Sequence, residues 1–90
     1  LRIDKFLKVA RLIKRRELAK EACNLGMVYI NGRVAKPSSE VKEGDIVEID
    51  TYGNYIKIRV LNVSTGPVSK NDVRLLYEVM EERRKKWLEE

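Results

Sequence analysis

Histidine is absent from this 90-residue chain, and cysteine occurs once, as Cys23. The most frequent general base and metal ligand is therefore missing. A single thiol excludes an internal disulfide and a thiolate-rich metal cluster, and it fits a reducing compartment. No apolar run approaches the ~20 residues needed to span a bilayer. The opening stretch, LRIDKFLK, interleaves charge with apolar side chains, so it is not expected to act as a signal peptide. No Gly-rich phosphate loop follows a strand-like run, no segment repeats, and nothing marks Asp45 and Asp50 as a working carboxylate pair. A chain this short can bury a small core but cannot also enclose a large substrate cavity. These absences argue against an enzyme and against a membrane protein. They make a cytoplasmic binding domain, with no cofactor and no metal, the expectation.

What is present in excess is positive charge, and its position matters more than its size. Hydrophobic residues make up 43% of the chain and charged residues 37%, with a net charge of +5. Residues 1–20 hold eight Lys and Arg (Arg2, Lys5, Lys8, Arg11, Lys14, Arg15, Arg16, Lys20) against Asp4 and Glu17. The other seventy residues hold eleven basic and twelve acidic groups, so the excess is confined to one end. A solvated face usually mixes signs, yet no acid interrupts the bases from residue 5 to 16. That pattern points to a polyanion.

Ile3, Phe6, Leu7 and Ala10 fall at helical spacing, and Leu18, Ala19, Ala22 and Leu25 suggest a second apolar stripe that Gly26 closes. Between them, around Leu12 to Arg15, the chain must turn, which pushes Lys5, Lys8 and Arg11 off the buried face. Lys14, Arg15 and Arg16 then stand at the start of the second helix, where the partial positive charge of the helix end makes cations unfavourable and an arriving anion favourable. The alternative is that Glu17 and Glu21 neutralise the cluster from within. Cys23 falls near the buried stripe and reads as a small core residue.

After Gly26 the period becomes two. MVYINGRVAKP reads as a hairpin around Asn31-Gly32. VKEGDIVEID gives a turn at Glu43-Gly44 and a strand over roughly 45–50. YGNY turns the chain into IKIRV. Val28, Ile30, Ile56 and Ile58 should be buried, with Lys57 and Arg59 exposed. STGPVSKND reads as a loop. From Asp72 onward Val73, Leu76, Tyr77, Met80 and Trp87 suggest a C-terminal helix, capped by Asn71 or Ser69 and carrying a solvated Arg83-Arg84-Lys85-Lys86 run. Tyr77, Met80 and Trp87 either close the core or form an exposed anchor for a protein partner. The expected fold is α+β: a two-helix N-terminal motif on a small antiparallel sheet, plus a C-terminal helix.

Five segments in order, RIDKFL (2–7), KRR (14–16), GMVYING (26–32), KPS (36–38) and VKEGD (41–45), resemble the RNA-binding module named after ribosomal small-subunit protein four. The resemblance covers residues 1–50 as the module. Residues 51–90, the second hairpin and C-terminal helix, are similar to the RqcP (YabO-type) family of stand-alone proteins and complete the same compact domain. The fifteen-kilodalton heat-shock proteins share the module but have a longer basic tail. Residue 1 is Leu where the family begins with Met, as a non-AUG start translated literally or a start further upstream would give. The resemblance implies a monomeric, non-enzymatic protein that binds large-subunit rRNA and P-site peptidyl-tRNA. It also implies a partner of the RqcH type, which adds alanine tails to stalled chains. Arg2, Lys14, Arg15 and Arg16 match the family's RNA-facing positions, while Asp4 matches a position that either orients a nearby Arg by an ion pair or caps the first turn. Two alternatives stay open: a heat-shock-type factor that recycles large subunits, or a protein-interaction module using the C-terminal helix. Few aromatic residues are interleaved with the cations, so recognition by shape and phosphate is expected over base stacking.

Overall fold

Seven residues are too few for a helix to persist alone in water, so α1 (Ile3–Val9) depends on what it buries. In the computed structural model, which describes residues 1–64 and 66–84, Ile3, Phe6, Leu7 and Ala10 are all fully buried. Removing a large apolar side chain from water stabilises by roughly 1.5–3 kcal/mol, and α1 supplies three. Its first N–H groups lack a side-chain cap from Arg2. The KPS turn replaces it: the Ile3 N–H donates to the Ser39 carbonyl at 2.8 Å and the Asp4 N–H to that of Pro37 at 3.3 Å. Ser39 Oγ, accepting from the Lys36 N–H, holds that turn shut.

Arg11 reverses the chain at φ 60°, an uncommon conformation for a residue with a Cβ. The second helix, α2 (Arg16–Asn24), packs on α1 through Ala19, Ala22 and Cys23. Leu18 and Leu25, expected on the buried stripe, are instead 48% and 63% exposed. The helices meet through the small side of α2, which allows a close approach that two leucines would prevent. Gly26, at φ 76°, ends α2 as expected.

Five strands follow in one antiparallel sheet: β1 (Val28–Ile30), β2 (Arg33–Val34), β3 (Ile46–Asp50), β4 (Asn54–Val60) and β5 (Tyr77–Arg84), in the order β2-β1-β3-β4-β5. Asn31 and Gly32, at φ 52° and 84°, make the β1–β2 turn. Asn31 also ties this turn to the next one. Its side chain donates to Asp45 Oδ1 and accepts from the Ile46 N–H, while Asp45 Oδ2 accepts from the Lys42 N–H. The NG and VKEGD segments are thus two ends of one polar clamp. Val28, Val47, Ile49, Ile58 and Val60 line the covered face, whereas Ile30 and Ile56 are half-buried. Arg59 is exposed and Lys57 half-exposed.

Over the described residues the expected C-terminal helix is not formed. Residues Val73–Leu75 make one 3-10 turn, and 77–84 are β5, paired along the whole of β4. Glu, Met and Arg are good helix formers, so local preference favoured a helix. Two features override it. The open edge of β4 offers backbone partners, and Arg59–Glu78 (3.2 Å) and the Arg83 guanidinium over the Tyr55 ring (4.7 Å) link the strands. A bulge opposite Lys57/Ile58 also inserts Met80, which breaks the alternation that would have signalled a strand. The shared stripe splits accordingly: Leu76 is buried, Tyr77 half-buried against the core and Met80 45% exposed. Trp87 and the Lys85-Lys86 part of the basic run lie outside the described residues.

Candidate nucleic-acid interface

The corner between α1 and α2 forms an open groove of about 950 Å³. Lys5, Lys8, Arg11, Lys14, Arg15 and Arg16 all line it, so the acid-poor stretch of sequence becomes one cationic surface. Val9 and Ile13 supply apolar surface beside them, and no aromatic ring lines the groove among the described residues. Arg2 and Lys20 are exposed but do not line the groove. Glu17 does line it. However, neither Glu17 nor Glu21 forms an ion pair among the described residues, so internal neutralisation by these two acids is not what the structure contains.

Asp4 organises the inner end of this surface. It is the buried acid of the core, fully shielded, and it lies between two arginines. Arg2 Nη2 donates to Asp4 Oδ2 at 3.1 Å and Arg16 Nη2 to Asp4 Oδ1 at 3.3 Å. Of the two roles its motif position allowed, the geometry is that of the ion pair. Burial by itself would push the Asp4 carboxyl up, but the Arg16 and Arg2 guanidiniums outweigh that and hold it below the usual carboxylate range. Arg16 thus starts α2 with one nitrogen anchored in the core, while its buried Nε has no acceptor among the described groups. The side chains of Arg2 and Arg16 remain 46% and 37% exposed, so the charges they carry still reach solvent. Arg15, the N-cap residue of α2, makes no side-chain capping bond.

Cys23 is buried beneath this corner, and burial, reinforced by the Asp4 charge, pushes its thiol up to about 11. It is a packing residue, as its position on α2 suggested. The sheet's outer face differs from the groove because it mixes signs. Lys57 sits between Glu48 and Glu81 in register, and the Tyr55 hydroxyl donates to Glu48, which pushes it up to about 12.

Sequence reasoning missed one part of the groove. Gly66, Pro67, Val68 and Lys70 also line it. Their segment read as a plain loop, and the only available signal was that residues 61–70 contain no acid.

The S4 domain matches residues 1–47. An RQC P-site tRNA stabilizing factor of Halalkalibacterium halodurans is 48% identical over 82 residues, covering 91% of this chain and 92% of that protein. Its counterpart in Streptococcus pneumoniae is 39% identical, covering 93% and 94%. Among solved structures, the trimeric heat shock protein 15 of Vibrio cholerae superposes with a TM-score of 0.82 at 30% identity, over 89% of this chain and 81% of that one. The chain belongs to the S4-domain family, among the small stand-alone proteins that include the RQC P-site tRNA stabilizing factors.

Proposed function

We propose that this protein is an RNA-binding factor of ribosome-associated quality control that docks on the large ribosomal subunit and steadies P-site peptidyl-tRNA. In this reading residues 1–50 are the RNA-binding module and 51–90 extend the same compact domain. The protein acts as a cytoplasmic monomer without a cofactor, and it binds without catalysing. Its occupancy supports alanine tailing of stalled chains by an RqcH-type partner. The observation that carries the reading is the α1–α2 groove, whose cations have no acidic partners among the described residues apart from the Asp4 clamp. The names of the relatives supply the ribosomal and tRNA context.

The physics fits phosphate recognition. Arginine forks onto phosphate oxygens, and one already anchored has less ordering entropy to lose. An α2 N-terminus without a side-chain cap adds N–H groups and a favourable dipole. The interaction should be steeply salt-dependent, with a log–log slope of roughly −0.7 to −0.9 for each phosphate contacted.

The test is co-purification of tagged protein with free large subunits, probing for peptidyl-tRNA in the recovered particles. Arg16→Ala should lose far more binding than Lys57→Ala, although each removes one charge, and alanine tailing should fall with it. Equal losses would mean diffuse attraction without a docked site. The likeness to heat shock protein 15 favours one second reading, large-subunit recycling. Under that reading large subunits are bound but tailing is unaffected. The third reading, a protein-interaction module built on a C-terminal helix, loses its basis, because residues 77–84 form a strand.

A further inference from the structure

Part of the groove is built by residues beyond the S4-domain match. The chain from Leu61 to Leu76 is closed at its base by the Leu76 carbonyl, which accepts the N–H groups of Leu61 (2.7 Å) and Asn62 (3.2 Å). Leu76 is buried, and Val63 and Val68 pack against the core. The Asp72 N–H closes a smaller turn onto the Ser69 carbonyl at 3.0 Å. A surface loop whose ends meet and whose own side chains pack it is a compact, frequently functional unit. This one is also held from the helical side. Arg11, turned by its φ of 60°, donates through Nη2 to the Val68 carbonyl at 3.4 Å. The result is that Pro67, Val68 and Lys70 border the groove that Lys14, Arg15 and Arg16 line at the entry to α2. Lys70 is exposed and has no ion pair among the described residues.

We propose that the 66–70 loop is a second jaw of the RNA site. Lys70 is a phosphate ligand that acts together with the helical cations, and Arg11 is the residue that keeps the jaw in place. The inference rests on the RNA-binding reading of the groove and extends the contact surface beyond the two helices. With cations supplied from two separate segments and no aromatic ring between them among the described residues, the groove grips a phosphodiester strand by its backbone and reads no base.

Binding of the full chain to purified large ribosomal subunits, measured across roughly 50–200 mM KCl, separates the possibilities. Lys70→Ala should weaken binding about 3- to 10-fold and make the log–log salt slope shallower by roughly one. Lys70→Arg should keep the slope, and Lys57→Ala should change neither quantity. In an Arg11→Ala background, Lys70→Ala should cost little more, because a released loop no longer presents Lys70 to the strand. Lys70 is exposed, so unchanged melting curves are expected for its variants. Wild-type affinity and slope for Lys70→Ala, alongside a large loss for Arg16→Ala, would overturn the second jaw and leave the helical face standing. Full additivity of Arg11→Ala and Lys70→Ala would overturn the tether. If Arg16→Ala also binds as wild type, the groove is not the RNA face, and this inference falls with that reading.

Discussion

Replacing Asp4 by Asn removes one negative charge from the middle of a cationic surface while keeping the side chain's size. If Asp4 matters only through its charge, the variant should bind RNA more tightly, because net charge rises from +5 by one unit. The structure argues for the opposite sign. The carboxylate takes one bond from Arg2 and one from Arg16, at 3.1 and 3.3 Å, from a fully buried position. An Asn keeps one acceptor oxygen and turns an NH2 group toward the other guanidinium. One charge-assisted bond, worth roughly 1.5–3 kcal/mol, is lost and two donors are left facing each other. Two effects reduce the damage: a buried charge disappears, and both arginines, more than a third exposed, can turn to water. The net cost to stability should be about 1–3 kcal/mol, or roughly 4–20 °C in Tm for a domain of this size. Released arginines must be ordered again when RNA arrives, at roughly 0.5–1.5 kcal/mol for each side chain. With both side chains released, binding to large subunits should therefore weaken about 5- to 150-fold at a temperature where circular dichroism shows the variant folded. Tighter binding, with no change in Tm, would refute the idea that Asp4 positions Arg2 and Arg16.

The same residue gives the fold an acid limit. Because the folded pKa of Asp4 is lowered, the unfolded chain takes up the proton more readily. Its contribution is complete above the unfolded value of about 3.9 and disappears as pH falls through the folded one; urea melts below about pH 4 should show a shallower pH dependence for Asp4→Asn than for wild type. Cys23, buried and with its thiol pushed up to about 11, should resist aromatic disulfide reagents at pH 8 in the native protein and react at once in denaturant; rapid native labelling would contradict the packing of α2 on α1. Asn31→Ala removes two side-chain bonds to the Asp45–Ile46 turn and puts Ala at φ 52°, so it should cost about 2–3 kcal/mol in urea melts. Asn31→Gly, which keeps the conformation and loses only the bonds, should cost less, and equal costs would mean that the backbone angle contributes nothing.

What the sequence determined by itself were the features whose physics is local. The α1 stripe, the Gly26 stop, the Asn31-Gly32 turn and the strand over Ile46–Asp50 each follow from spacing or from backbone conformations that few residues adopt. The clustering of cations in the first twenty residues was equally legible, and six of the eight line the corner between the two helices. Tertiary structure decided the rest. Which side of α2 is buried depended on how closely α1 could approach, and this selected Ala19, Ala22 and Cys23 over Leu18 and Leu25. Residues 77–84 became a strand because β4 had an unfilled edge, a demand no local window contains, and the bulge at Met80 hid the alternation. The Asp4 clamp joins residues 2, 4 and 16, and the Arg11–Val68 contact joins residues 57 positions apart. Pairings of that kind exist only after the core has brought distant segments together, so the loop bearing Lys70 could join the cationic groove without leaving any periodic trace in the chain.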